Sequence, residues 1–380
     1  MGRTLARTVR AVGEHRVLTT GQLAALGFDS VITARHRLTV LAEVGALRRF
    51  RPHRAVGSAP WHYLLGPVGA ALLGAEDRDN RKWVTAVRAG RQLALEHSQR
   101  LAHLLGVNWF FAALAAHARQ ADSDCGLRVW LNETDAHEWL FERVLATYDH
   151  RDLPNPDGLG TWAQDGLKVT FLLEYDNGSE HLPQPTGKLG GYGGLAKAMA
   201  TSGHVCPLLL FCFPTPRREQ AARRALAARH DASAMRIATT AINPEHTSPA
   251  GPVWLPLGHV GNSGGQMALS ALGAALSDPW AQYRADRNRR ASRQHRPAKP
   301  WQGTGRTTTK QARPLLMTLE SSRRDPTLRG RRCARPRPRR RLNAIVDALP
   351  ALALIAGAGS FTAEHQVPRG VHPDPQQECP

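Results

Sequence analysis

Apolar residues recur at helical spacing three times before residue 45. Leu5, Val9 and Val12 mark a first helix, and Thr19-Thr20-Gly21-Gln22-Leu23 opens a short second one with a hydroxyl at its cap, ending at Gly27. After a turn, Ser30 can cap a third helix in which Val31, Ala34, Leu38 and Leu41 keep the 3.6-residue period. Arg35 and Arg37 fall off that stripe. Two short apolar stretches then flank the Gly/Pro/Ser turn of RRFRPHRAVGSAPWHYLLG, and PVGAALLGAE at 67–76 reads as a closing helix. Helix-turn-helix followed by hairpin is the layout of a winged helix-turn-helix. The polar run AEDRDNRK after it predicts a domain boundary at 76/77.

From Val84 to Arg119 the pattern is helical again, with Leu93, Leu101, Leu104, Leu105, Trp109, Phe110 and Leu114 as core positions. The period then drops to two in Leu127–Leu131, Gly166–Glu174 and Cys206–Phe213, which predicts strands, with helices at about 187–201 and 216–229 between and after the last two. The fold class expected is mixed, α+β or α/β. After Asp278-Pro279-Trp280 periodicity disappears, and RGRRCARPRPRRR at 329–341 is too charged to bury a core. The expected organisation is a winged helix over 1–76, an α/β domain over 77–280, and a disordered basic tail over 281–380.

Charge sharpens this picture. The chain of 380 residues carries a formal net charge of +19, which calls for a polyanionic partner. Residues 281–380 hold 21 basic against 7 acidic side chains, and residues 1–66 hold 10 against 3, so the middle contributes none of the excess. The arginines of the third helix, Arg35 and Arg37, would meet the major groove or its phosphates. Arg48, Arg49, Arg51 and Arg54 on the wing would meet backbone or minor groove. Double-stranded DNA is the expected partner. Five scattered cysteines without a Cys-x-x-Cys pair fit a reducing cytoplasm. Asp347 and Pro350 break the apolar run 344–358, so no membrane span is expected there.

Candidate chemistry sits in the α/β domain. Asn155-Pro156-Asp157-Gly158 forms a turn before a strand, and the strand FLLEYD ends in Glu174 and Asp176, which alternation places on one face. With Asp157 on the neighbouring strand, three carboxylates would converge on one Mg²⁺ or Mn²⁺ ion. Lys188, on the next helix, would steady a phosphate or an attacking water. His97, His103 and His117 lack partners at ligand spacing and read as structural, and the glycines of 187–194 lack the order of a phosphate loop.

The Pro156-Asp157 and Glu174 pattern resembles the PD-(D/E)xK nuclease fold, with Asp176 where that family has its lysine, so the resemblance would pass the lysine's role to Lys188. A basic winged helix, then PDGLGTW, then FLLEYDNGSEHLPQPTGKLGGY, ending near DPW, is similar to the replication-relaxation family over residues 5–290, most strongly from Pro156 to Tyr192. That resemblance implies a DNA-binding protein acting on plasmids in replication, DNA relaxation or conjugative mobilisation. Two alternatives stand beside it. One is a metal-dependent DNA endonuclease or nickase using Asp157, Glu174, Asp176 and Lys188; the other is a non-catalytic adaptor for a relaxase or replication initiator.

Overall fold

A computed structural model describes residues 2–53, 56–77, 81–121, 124–144, 152–178, 184–257 and 265–294. They fall into two compact units that divide between Asn108 and Trp109.

The first unit runs α1 (Gly2–His15), β1 (Leu18–Thr19), α2 (Thr20–Gly27), α3 (Val31–Glu43), β2 (Leu47–Phe50), β3 (His62–Leu65) and α4 (Pro67–Glu76). The strands form an antiparallel sheet in the order β1-β3-β2. Local chemistry sets the helix starts. Thr19 Oγ1 accepts from the Gln22 amide at 3.2 Å while Gln22 Oε1 accepts from the Thr19 amide at 2.8 Å, a reciprocal capping box. Ser30 Oγ accepts from the Thr33 amide at 3.1 Å at the start of α3. Ala34, Leu38 and Leu41 are buried as expected, but Val31 is 45% exposed because the first turn of α3 projects beyond the core.

Three further helices complete this unit: α5 (Arg81–Ala86), α6 (Ala89–Glu96) and the first turns of α7 (Leu101–Gln120). Trp83 is buried against Gly13 and Leu73, where a β-carbon on Gly13 would lie 2.7 Å from the indole. Three side-chain amides then bond backbone carbonyls at the end of β3, just before β1 and within α7. Gln92 Nε2 donates to the Leu65 carbonyl at 2.7 Å, Asn108 Nδ2 to the Val17 carbonyl at 2.7 Å, and Gln22 Nε2 to the Leu105 carbonyl at 2.7 Å. A buried carbonyl left unbonded would be costly, so these amides fix where the helices sit.

The second unit is built on a six-stranded mixed sheet, β4 (Cys125–Asn132), β5 (Gly158–Gln164), β6 (Leu167–Tyr175), β7 (Leu208–Phe213), β8 (Ile237–Ala241) and β9 (Leu255–Pro256), in that spatial order. The first three pair antiparallel, β6-β7-β8 pair parallel, and β9 returns antiparallel. Asp165 and Gly166, both at positive φ (51° and 79°), turn β5 into β6. On one face α8 (Glu133–Val144), α9 (Gln184–Thr201) and α10 (Pro216–Ala227) cover Leu159, Leu172, Leu209 and Phe211. On the other, Phe110 and Phe111 of α7 pack against Phe171 and Trp254. Among the described residues α7 is the one helix long and apolar enough to cross a membrane, and here Phe110, Phe111 and Leu114 are fully buried in the core. Gly160 makes room for the stacked rings, since a β-carbon there would lie 2.3 Å from Phe171.

Short α11 (Leu272–Ala275) and α12 (Ala281–Gln294) follow. The expectation of disorder from residue 281 is corrected for its first fourteen residues, which are helical. Arg284 pairs with Asp278, and the Trp280 indole donates to the Ala234 carbonyl at 3.0 Å, tying the start of α12 down. Residues 295–380 lie outside the described residues.

Candidate functional site

Two regions carry the residues singled out in the sequence. On α3, Arg35 is exposed and Arg37 half-buried, and the same helix leaves Ile32 67% exposed. The arginines after α3 differ among themselves. The Arg49 and Arg51 guanidiniums lie 4.6 Å and 4.2 Å from the Trp61 ring centre, a cation-π arrangement that orders both side chains on one side of the β2-β3 hairpin. Arg49 also reaches Thr39 Oγ1 of α3 at 3.4 Å, so helix and hairpin share one basic surface. Arg48 turns away instead: it bonds Gln92 and lies 4.0 Å from Glu96, both on α6. Its part is to hold α6 against the hairpin. Arg54 lies outside the described residues.

In the second unit the three carboxylates end up with three separate sets of partners. Asp157 precedes β5. Its amide donates to the Leu173 carbonyl at 2.9 Å and its Oδ2 accepts from the Tyr175 amide at 2.7 Å, extending the β5-β6 ladder with a side chain. Glu174, on the face covered by α9, is buried. Its Oε2 receives Lys188 Nζ at 2.6 Å and its Oε1 receives the Tyr192 hydroxyl. Lys188 and Tyr192 stand four residues apart on α9, one turn of the same face. Asp176, two residues on, takes Arg218 of α10 at 2.6 Å through Oδ2 and the Gly178 amide at 2.6 Å through Oδ1. Alternation therefore holds, with Glu174 and Asp176 on one face, but each meets a different helix.

Burial and the charge of Asp157 push the Glu174 carboxyl up to about 7, while Lys188 and the Tyr192 hydroxyl pull it back. Tyr192, fully buried beside that carboxyl, is pushed well above the ordinary phenol range. Glu174 can thus hold or release a proton near neutrality.

The expected Mg²⁺ or Mn²⁺ site does not fit this arrangement. Among the described residues no three Asp, Glu, His or Cys side chains come together as ligands. Both Glu174 oxygens are engaged by Lys188 and Tyr192, and Asp176 is committed to a guanidinium. A cation joining all three would have to displace two positive side chains. Of the four sequence-chosen residues, Lys188 and Glu174 meet directly, Asp157 lies near enough to act on Glu174 by its charge, and Asp176 joins a neighbouring pair. Sequence reasoning missed Tyr192 and Arg218. The one available signal was the Lys188-x-x-x-Tyr192 spacing on a predicted helix.

The sequence model of the replication-relaxation family matches residues 9–209, more than half of the 380 residues. The chain belongs to the replication-relaxation family. The matched span takes in α3, the β2-β3 hairpin, Asp157, Glu174, Lys188 and Tyr192, and ends within β7, so Arg218 lies beyond what the replication-relaxation model covers. No curated protein and no solved structure matches the chain.

Proposed function

We propose that this replication-relaxation protein binds duplex DNA through a winged helix formed by α1 to β3, with α3 in the major groove, and serves plasmid replication, relaxation or conjugative mobilisation. The observation that carries the reading is the basic surface shared by α3 and the hairpin. Arg35 and Ile32 are exposed on α3, and Arg49 links α3 to the Trp61 platform with Arg51 beside it. The element order and the β1-β3-β2 sheet support it. Such a surface joins phosphate contacts that set register to a helix that can reach base edges.

The second unit, in this reading, is a PD-(D/E)xK-like scaffold that positions DNA or a relaxase or initiator partner without cutting. The engagement of Glu174 by Lys188 and Tyr192 favours this over a Mg²⁺- or Mn²⁺-dependent endonuclease. Two assays test the proposal on the full chain. In fluorescence anisotropy with duplex DNA, the Arg35→Ala/Arg51→Ala pair is expected to weaken binding by tenfold or more, and unchanged affinity would remove the winged-helix assignment. On supercoiled plasmid with Mn²⁺, wild type is expected to retard the plasmid without nicking it. Nicking lost in Asp157→Ala would restore the nuclease reading.

A further inference from the structure

Glu174 and Asp176 lie at the carboxyl end of β6. At the opposite end, where the three parallel strands β6, β7 and β8 begin, is a cavity of about 420 Å³ that the function above does not use. That volume is in the ordinary range for ligand sites, roughly 300–1,000 Å³. Lys168 and Glu174 are six residues apart on one strand, which separates the two places by roughly 20 Å.

The lining is basic. Arg143, Lys168, His204 and Arg236 face the cavity, and among the described residues that line it none is acidic. Two of the guanidiniums are held in place. Arg143 lies 3.5 Å from the centre of the Trp139 ring and donates to the Trp139 carbonyl at 2.8 Å. Arg236 donates to the Cys206 carbonyl at 2.6 Å. Burial works against the charge of both, lowering their pKa, so each is a partly desolvated cation whose remaining donors would gain from an anion. The nearby acids do little to neutralise the group. Glu142 lies 3.9 Å from Arg143 but is largely exposed, and Asp278, which acts on Arg236, is paired with Arg284.

Two further features shape the rim. Gly203, at φ +84°, ends α9 with the His204 amide bonded back to the Met199 carbonyl at 2.8 Å, which brings His204 to the cavity. Arg287 of α12 reaches to 3.5 Å from where a β-carbon on Gly203 would stand. Neither Lys168, which is exposed, nor Arg287 forms an ion pair among the described residues. Apolar Val169 and Met199 line the cavity alongside these groups, as does the small Gly273.

We propose that this cavity is a phosphate-binding site, filled by a backbone phosphate of DNA or by the phosphate of a free nucleotide. Fixed guanidiniums on α8 and just before β8, with an exposed lysine at the rim, suit a tetrahedral anion, and a phosphate bears the charge that the lining lacks. Bound DNA would thereby gain a second anchor, independent of α3.

The test uses the full chain and two exposed positions, comparing wild type with Lys168→Gln/Arg287→Gln and with Lys168→Glu alone. Circular dichroism melting without phosphate checks that the variants fold as wild type does. Duplex affinity is then measured over a salt series, and the melt is repeated with ATP and with inorganic phosphate. For a backbone phosphate, the slope of log affinity against log salt is expected to fall by about 1 to 2 in the variants, with similar loss on every sequence. For a free phosphate, the slope stays unchanged while ATP or phosphate raises the wild-type melting temperature and not that of the variants. An unchanged slope together with no phosphate-dependent difference in melting overturns the proposal. The Arg35→Ala/Arg51→Ala protein separates this result from the winged-helix reading, because its residual DNA binding should still respond to Lys168→Glu if the cavity binds backbone.

Discussion

Glu174 concentrates the chemistry of the second unit in one carboxyl. Folded, it titrates near 7 against an ordinary value of 4.5, because burial and Asp157 outweigh Lys188 and Tyr192. A raised acid pKa means that the folded chain keeps a proton the unfolded chain has released. Its contribution to stability is full below about 4.5 and is lost as pH rises through 7. Glu174→Gln is therefore expected to remove this part of the pH dependence, read as the difference in urea midpoint between pH 5 and pH 8. Lys188→Met should act in the other sense on the carboxyl, raising its pKa further, since Lys188 is one of the groups holding it down. Lys188 is itself 41% exposed, so the accompanying loss of stability should be modest, on the order of 1 kcal/mol. A carboxyl carbon NMR titration that moved down rather than up in Lys188→Met would show that the ion pair does not set the proton affinity of Glu174.

At the level of elements, the reciprocal cap of α2 has a consequence that the hydroxyl alone would not. Thr19→Ala should cost about 1 kcal/mol, the usual value of a lost cap. Gln22→Ala should cost more, because Gln22 is fully buried: its loss leaves the Thr19 amide without a partner, removes the added bond to the Leu105 carbonyl and opens a cavity. Equal destabilisation of the two variants by chemical unfolding would contradict this. The hydroxyl half of this cap was readable in the sequence, as were the Ser30 cap, α4, β6, β7 and the shared face of Glu174 and Asp176, because each rests on residues close together in the chain. The elements that escaped have tertiary causes. β5, expected only as a strand without bounds after the Asn155–Gly158 turn, shows no alternation in GLGTWAQ because Gly158 and Gly160 make room for Phe111 and Phe171. Gly160→Ala is accordingly expected to destabilise the fold by roughly 1–3 kcal/mol through overpacking, a loss that a thermal melt would register. α8 buries only Ala136, Leu140 and Val144, a stripe too narrow to stand out in a polar segment. The site was legible to the same depth. The sequence gives the carboxylates and Lys188, but Tyr192 and Arg218 enter 18 and 42 residues away from their partners, and that pairing decides against a shared cation.

For the molecule as a whole, His15 and Glu174 are expected to act on the two units in opposite directions with pH. His15, in the first unit, is fully buried and lowered from 6.5 to about 3, by burial first and by the charge of Lys82 second. The unfolded chain binds this proton and the folded chain does not, so the stability that His15 contributes is full above about 6.5 and falls as pH drops toward 3. Glu174 in the second unit runs the other way, losing its contribution between about 4.5 and 7. Moving from pH 7.5 to pH 5 should then weaken the first unit and strengthen the second. Hydrogen exchange, corrected for the intrinsic pH dependence of the amides, separates the two, since β1 to β3 report on one core and β6 to β8 on the other. The expected result is faster opening in β3 and slower opening in β6 at the lower pH. His15→Phe should flatten the first response and leave the second, and Glu174→Gln should do the reverse. If both units gained or lost protection together, other titrating groups would dominate and neither buried residue would govern the stability of its unit. If the units respond oppositely, the DNA binding proposed for the unit weakened by acid is expected to be lost first on acidification, ahead of any change in the sheet that carries Glu174.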